Sequence, residues 1–453
     1  MTLPPDFITR TRHLLGEETF RHLSEALKEA PPVSIRINRT KGAEPPDGER
    51  VVWCSDGYYL PERPSFTFDP LFHAGAFYVQ EASSMFPEQV VAQYVKEPVI
   101  CLDLCAAPGG KSTHLASLLP EGSLLVSNEV IRSRSHILSE NLTKWGNPYS
   151  IVTNNDPEEI GRLKHLFDVI LTDVPCSGEG MFRKDPGSVG EWSVANVNLC
   201  ASRQRRILYD VWNALKPGGL LIYSTCTYNT EENEDNILYM INELGADPLP
   251  VATREEWNIA GALKHGLPAC RFFPHRTKGE GFFLAAVRKH EEELRTIRHK
   301  SNGKGNTKGK GTSPVTKAPS MFLKDFERFS LETRGEFIRA FPLAHQDTYM
   351  LLQNHLRIVS AGIRIGEVKG KDIVPDQSLA LSTSLNRNAF PIVELSAEEA
   401  IRYLRKEALL LPVATEKGYV LLTYKGFPLG FVKNLGNRAN NLYPQEWRIR
   451  KAR

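Results

Sequence analysis

A short apolar run ending in a turn of small residues and opening into a helix, Val99 to Leu119, constrains this chain more than any other stretch. Val99 to Leu104 carries a single acid, Asp103, near its end, which suits a strand buried on both faces. Cys105-Ala106-Ala107-Pro108-Gly109-Gly110 lets the backbone approach a ligand closely, and Lys111 to Leu119 has helical spacing. A helix N-terminus facing such a turn offers free N–H groups to a polar ligand. Gly110-Lys111-Ser112 ends like a phosphate-binding loop, but Cys105 stands where that loop needs glycine, and the dinucleotide fingerprint Gly-x-Gly-x-x-Gly is absent. An adenosyl cofactor without phosphates and a plain strand-to-helix turn both stay open.

From there to about residue 245 the text alternates strand and helix, which predicts an α/β fold with a mainly parallel sheet and helices on both faces. Leu124–Ser127, Ser150–Thr153, Phe167–Thr172 and Leu220–Ser224 read as strands, with helices at Arg132–Lys144 and Ser202–Leu215. The strands finish on Cys105, on Glu129, on Asp156, on Asp173 with Cys176, and on Cys226. In an open parallel sheet, ligands bind beyond the carboxyl ends of the strands, so five such endings make a site. Glu129, about twenty residues past the turn, can accept ribose hydroxyls. Asp156 could bond an adenine amine, as could its neighbours Asn154 and Asn155. The acids Glu231 to Asp235 suit a helix N-terminus.

The chain has 453 residues, enough for two or three domains. Net charge is only +3, so nucleic-acid contact must rest on local basic clusters. Seven cysteines without repeated close pairs argue against a disulfide framework and for a reducing compartment. Cys101 and Cys105 alone do not make a zinc site, so no metal is expected. With no long apolar run or signal-peptide core, a cytoplasmic chain is expected, acting as a monomer away from membranes. Cys54, Cys101, Cys200 and Cys270 read as packing. Cys176 and Cys226 are different: thiols at strand mouths can serve as nucleophiles, and a pyrimidine carbon becomes reactive only once something adds to its neighbour.

Toward the ends, Phe7 to Leu27 is helical until Pro31-Pro32, and Val33 to Asn38 alternates as a strand whose Arg36 and Arg39 read as a solvated face or an RNA contact. Ser301 to Ser320, with four lysines and no acid, is expected to be a flexible cationic linker. A helix is expected near Leu323–Phe341, and strands at Tyr419–Tyr424 and Gly430–Val432. Lys425, Lys433, Arg438, Arg448 and Arg450 could position RNA.

Asp-Leu-Cys-Ala-Ala-Pro-Gly-Gly-Lys, Asp-Val-Pro-Cys-Ser-Gly-Glu-Gly and Ser-Thr-Cys-Thr resemble the motif set of the Sun/Nop family of RNA cytosine-5 methyltransferases. Arg271 to His275 with Gly279 to Phe283 resembles the family's late hairpin, and Ser34 to Asn38 its N-terminal RNA-binding portion. Asn437 to Pro444 is similar to the tail of the bacterial RsmF-type ribosomal RNA enzymes. The resemblance implies a Rossmann-like S-adenosylmethionine-dependent fold divided as 1–75 (RNA-binding portion), 76–290 (catalytic), 291–320 (linker) and 321–453 (PUA-like α+β region). It further implies that the cofactor is held by Cys105, Ala106, Ala107, Pro108, Gly109, Gly110, Lys111, Glu129, Asp156 and Asp173. Cys226 matches the nucleophile that adds to carbon 6 of cytosine, and Cys176 the cysteine that assists product release. The resemblance also implies that Asp173 orients the base or the cofactor. DNA enzymes instead place the nucleophile in the Pro-Cys motif. The implied substrate is RNA, 16S ribosomal RNA first and transfer RNA second, either naked or within a small ribosomal subunit. A rival from another class is an RNA-binding assembly factor that keeps the fold without the chemistry; a nicotinamide oxidoreductase lacks its glycine fingerprint.

Overall fold

The computed structural model describes residues 2–291, 318–370 and 372–451. The cationic run 301–320 lies outside the described residues up to position 317, as do the last two residues of the basic tail.

A nine-stranded sheet forms the centre, in the order Ala269–Phe272, Phe282–Lys289, Leu215–Thr225, Phe167–Asp173, Ile100–Asp103, Leu124–Asn128, Ser150–Thr153 and Ile358–Ala361, with Ala246–Leu249 pairing beside Phe282–Lys289. The five strands from Leu215–Thr225 to Ser150–Thr153 run parallel. Their apolar side chains pack on both faces, Leu102, Val126, Ile151 and Ile170 on one and Cys101, Leu125, Val152 and Leu171 on the other. This accounts for their unbroken apolar text. From Ile100–Asp103 the chain steps outward to Ser150–Thr153, then crosses back to Phe167–Asp173 on the other side. The order thus reverses between Ile100–Asp103 and Phe167–Asp173, and the crevice at that reversal is where such sheets bind ligands.

The other helices and strands differ from expectation in instructive ways. The N-terminal helix is two, Pro5–Leu15 and Glu17–Ala26, broken where Gly16 takes φ 83°. Val33–Ile37 is the centre of a three-stranded antiparallel sheet with Gly57–Leu60 and Phe77–Val79. Arg36 is neither solvated nor open to RNA: it is 1% exposed. Its guanidinium donates to Gln80 Oε1 (3.0 Å), Thr113 Oγ1 (2.6 Å) and the Gly110 carbonyl (3.2 Å) and lies over Trp145, tying this sheet to the helix behind the small-residue turn. The helix before the last parallel strand spans Val194–Trp212, starting earlier than expected because Ser193 caps it.

The helix expected near Leu323–Phe341 is instead a hairpin, Phe329–Arg334 with Phe337–Pro342, turning at Gly335 (φ 61°). Phe329, Ile338 and Ala340 share one buried cluster there, so the pleat's two-residue period prevails over helical spacing. Gly418–Tyr424 and Phe427–Asn434 form a second hairpin through Lys425-Gly426. The strand Ile358–Ala361 leaves the C-terminal region to pair antiparallel with Ser150–Thr153, so the central sheet reaches past residue 290. Among the described residues, no helix is long and apolar enough to cross a membrane.

Candidate active site

The crevice is built from the two strand ends at the reversal and the turns that follow. In the turn Cys105–Gly110, Gly109 takes φ 117°, and a side chain there would press on Leu138 and Asn141. The turn is pinned from outside: Arg134 donates to the Ala107 carbonyl (2.7 Å) and Asn141 to that of Pro108 (2.8 Å). Helix Gly110–Leu118 then begins with no side chain capping it, leaving N–H groups facing the crevice.

Asp103 is 1% exposed. Its Oδ2 accepts from Ser112 Oγ (2.6 Å), while Oδ1 is buried with no partner. Burial first, and the nearby Asp173 charge, push its pKa up to about 7 against the pull of Ser112. Asp173 accepts from Lys111 Nζ (2.8 Å) through one oxygen and Ser224 Oγ (2.7 Å) through the other. Burial works against the Lys111 charge, but the Asp173 carboxylate outweighs it and raises its pKa. Glu129 is buried, one oxygen accepting from the Ile131 N–H (2.9 Å) and the other 3.5 Å from Arg134. Asp156 also serves the scaffold. It is exposed and caps helix Pro157–Gly161, accepting from the Glu158 N–H (3.1 Å) in a capping box with Glu159. Asn155 is likewise spent on the scaffold, bonding Glu159 and the Arg357 N–H.

Cys176 and Cys226 come together across the ends of the neighbouring strands Phe167–Asp173 and Leu215–Thr225. Their sulfurs lie 3.0 Å apart, and the Cys226 N–H points at the Cys176 sulfur (3.4 Å). The Cys226 sulfur beside it, and then burial, hold the Cys176 thiol well above the ordinary range. Both thiols are partly buried.

Two buried carboxylates lock the thiol-bearing loops to each other. Glu179 Oε2 accepts from Thr227 Oγ1 (2.7 Å) and the N–H groups of Tyr228 (2.8 Å) and Asn229 (2.9 Å); Oε1 accepts from Trp192 Nε1 (3.0 Å) and Asn229 Nδ2 (3.2 Å). Glu232 accepts from the Ser177 N–H (3.0 Å), Gln204 Nε2 (2.7 Å) and Asn229 Nδ2 (2.8 Å). Behind them Arg271 pairs with Glu234 and donates to the Tyr228 carbonyl (2.7 Å), all buried. Gly180 is required by close approach, since a Cβ there would sit 2.5 Å from the Gly281 carbonyl oxygen.

The sequence model described as 16S rRNA methyltransferase RsmB/F matches residues 91–288, that of the N-terminal domain of 16S rRNA methyltransferase RsmF residues 3–82, and that of the methyltransferase RsmF PUA domain residues 390–449. Over 417 residues the chain is 33% identical to ribosomal RNA small subunit methyltransferase F of Enterobacter sp. (strain 638), covering 87% of this chain and 83% of that protein. It belongs to the small subunit methyltransferase F family. The relative of the same name in Escherichia coli O81 (strain ED1a) is 32% identical, covering 87% and 84%. A methyltransferase homolog protein from Pyrococcus horikoshii superposes with a TM-score of 0.52 at 30% identity, over 63% of this chain and 100% of that one. NSun6 from Pyrococcus horikoshii, solved with SFG, shares the fold (TM-score 0.53, 21% identity, 64% and 99% covered).

Membership makes the chain an RNA methyltransferase with a C-terminal PUA region, as the motif resemblance implies. The structure gathers Asp103, Lys111, Asp173, Cys176 and Cys226 in one crevice, with the buried Glu129 charge acting on Asp103, and makes Asp156 a helix cap. Sequence reasoning missed the locking role of Glu179 and Glu232. The available signal was an acid between Gly178 and Gly180 in a strand-mouth motif, and an acidic run interleaved with Asn229 and Asn233.

Proposed function

We propose that this chain methylates carbon 5 of cytosine in 16S ribosomal RNA, using S-adenosylmethionine and a covalent link through Cys226. The observation that carries this reading is the thiol pair, 3.0 Å apart beside the Lys111–Asp173 ion pair. Two thiols held this way fit an addition that must later be reversed. The cofactor assignment is supported by the orphaned Asp103 oxygen, the uncapped helix start and the buried Glu129 carboxylate, which suit a ligand with positive charge and a diol.

When bound, S-adenosylmethionine supplies an electrophilic methyl group on its sulfonium. Cys105 to Lys111, Glu129 and Asp173 would hold it; Asp156, already bonded in its cap, is the weakest member of the implied set. The target base leaves its stack at a cost of a few kcal/mol. The Cys226 thiolate adds to carbon 6, making carbon 5 nucleophilic. Cys176, whose thiol the Cys226 sulfur and burial hold well above the ordinary range, stands 3.0 Å from the attacking sulfur. After methylation, the carbon-5 proton passes to water and its electron pair re-forms the carbon 5–carbon 6 double bond as the carbon 6–sulfur bond breaks. Cys226 returns as a thiolate, assisted by hydrogen bonding from the Cys176 thiol.

The division 1–75, 76–290, 291–320 and 321–453 is part of this proposal. The first and last parts position RNA, and the chain acts as a cytoplasmic monomer. Bisulfite mapping of ribosomal and transfer RNA from a deletion strain tests it. Loss of one or more 5-methylcytosines from 16S RNA is expected; loss confined to transfer RNA moves the substrate, and survival of all of them refutes the reading.

A further inference from the structure

Cys54 reads from sequence as packing, yet it meets two other ligand-type side chains. The Sγ of Cys54, the Nε2 of His114 and a carboxylate oxygen of Glu88 all lie within 4.8 Å of one another. Nε2 is 3.0 Å from Glu88 Oε2 and 3.7 Å from the Cys54 sulfur. The three residues are 3%, 2% and 7% exposed. They come from three elements: the turn before strand Gly57–Leu60, helix Pro87–Tyr94, and helix Gly110–Leu118 behind the cofactor turn. Cys54 and Glu88 also line a cleft of about 530 Å³ with Ser55, Arg254, Glu256 and Trp257.

We propose that Cys54, Glu88 and His114 bind one zinc-class divalent cation that staples the N-terminal sheet to the catalytic fold. A tetrahedral centre with bonds of about 2.0 to 2.3 Å places its donor atoms roughly 3.3 to 3.7 Å apart, so the observed separations need only small side-chain shifts. Thiolate, imidazole and carboxylate together select zinc over magnesium or calcium. The cleft gives an entry path and room for water at the fourth position. Binding releases the Cys54 thiol proton to solvent and moves the imidazole proton from Nε2 to Nδ1. Nδ1 has no partner, and the Arg36 guanidinium, bonded to the adjacent Thr113, opposes a cation. The site therefore binds more weakly than one with oriented imidazoles. A cation here would bridge the same two layers that Arg36 already ties.

The test uses the full chain stripped with EDTA, then given one equivalent of Co²⁺ or Zn²⁺. A sulfur-to-cobalt charge-transfer band is expected, retained in the double variant Cys176→Ser/Cys226→Ser and lost in Cys54→Ser. Zinc should raise Tm in the same two proteins that show the band. His114→Gln, which can still bond Glu88, guards against a misfolded cysteine variant and should weaken binding by about tenfold or more. No retained metal, or a band that survives Cys54→Ser and vanishes in the double variant, overturns the proposal.

Discussion

The two halves of the crevice spend their polar groups differently. On the glycine-turn side the Asp103 Oδ1 is buried without a partner and the helix start is uncapped. On the cysteine side Glu179 alone accepts five hydrogen bonds and Glu232 three more. A ligand-binding surface must keep bonding capacity in reserve, because a group already paired gains little from a ligand. A covalent step needs the opposite, since a displacement of about 1 Å can cost a hundredfold in rate. Selective damage to either half should therefore separate binding from chemistry.

The largest effects belong to the thiols. Cys226→Ala should lose essentially all methyl transfer and form no RNA adduct, because no other group performs the addition. Cys176→Ala should still attack and methylate but accumulate a protein–RNA adduct that survives denaturing electrophoresis, and the double variant should show none. An adduct formed by Cys226→Ala would reverse the two roles.

Next comes the lock. Glu179→Gln places an amide against N–H donors, so a loss of about a hundredfold in kcat is expected, with unchanged S-adenosylmethionine affinity in equilibrium binding. A variant weakened in affinity and intact in kcat would erase the contrast between the halves.

Asp103→Asn probes the reserve. Its carboxyl titrates near 7 in the fold, above the ordinary value of about 3.9, so the protonated form is favoured by folding. Its contribution to stability is full below about pH 4 and is lost as pH rises through about 7. The asparagine variant, which cannot ionise, should match wild type in unfolding free energy near pH 4 and exceed it above pH 7, by about a few kcal/mol at most. A positively charged cofactor favours the ionised form, so wild-type affinity should fall about fivefold from pH 7 to pH 6 while the variant stays flat. Calorimetry across that range decides it.

The smallest effects lie in the PUA region. Lys433 already bonds Asp372 and Tyr419, whereas Arg438 has no such ion pair among the described contacts. Arg438→Ala should weaken RNA binding evenly across sequences and lower the salt slope by about one, and Lys433→Ala should do less. Filter binding at several salt concentrations would show it. Truncation at residue 320 is a poorer probe, because it removes the sheet strand Ile358–Ala361.

The sequence disclosed the parallel strands, because burial on both faces writes continuous apolar runs. It also disclosed the thiols, because strand mouths are where such sheets act. It did not disclose that Arg36 is buried, since an alternating strand looks the same whether its polar face meets water or another layer. The acidic run does open helix Glu234–Leu244, but the further partners of Glu232 and Glu234, which are Ser177, Gln204 and Arg271, went unseen because they are distant in the chain. The Phe329–Pro342 hairpin escaped because helical spacing and alternation coincide over so few residues.

The strand Ile358–Ala361 has a consequence for synthesis. Beside it, Arg357 donates to the Asn154 carbonyl across 203 positions of sequence. At about 5 to 20 residues per second, the ribosome takes roughly 10 to 40 seconds to deliver the segment that covers the edge of Ser150–Thr153. Through that interval the nascent sheet presents a bare, apolar edge, the kind of template on which neighbouring chains pair. An enzyme that modifies ribosomal RNA is thus itself most vulnerable while still attached to a ribosome.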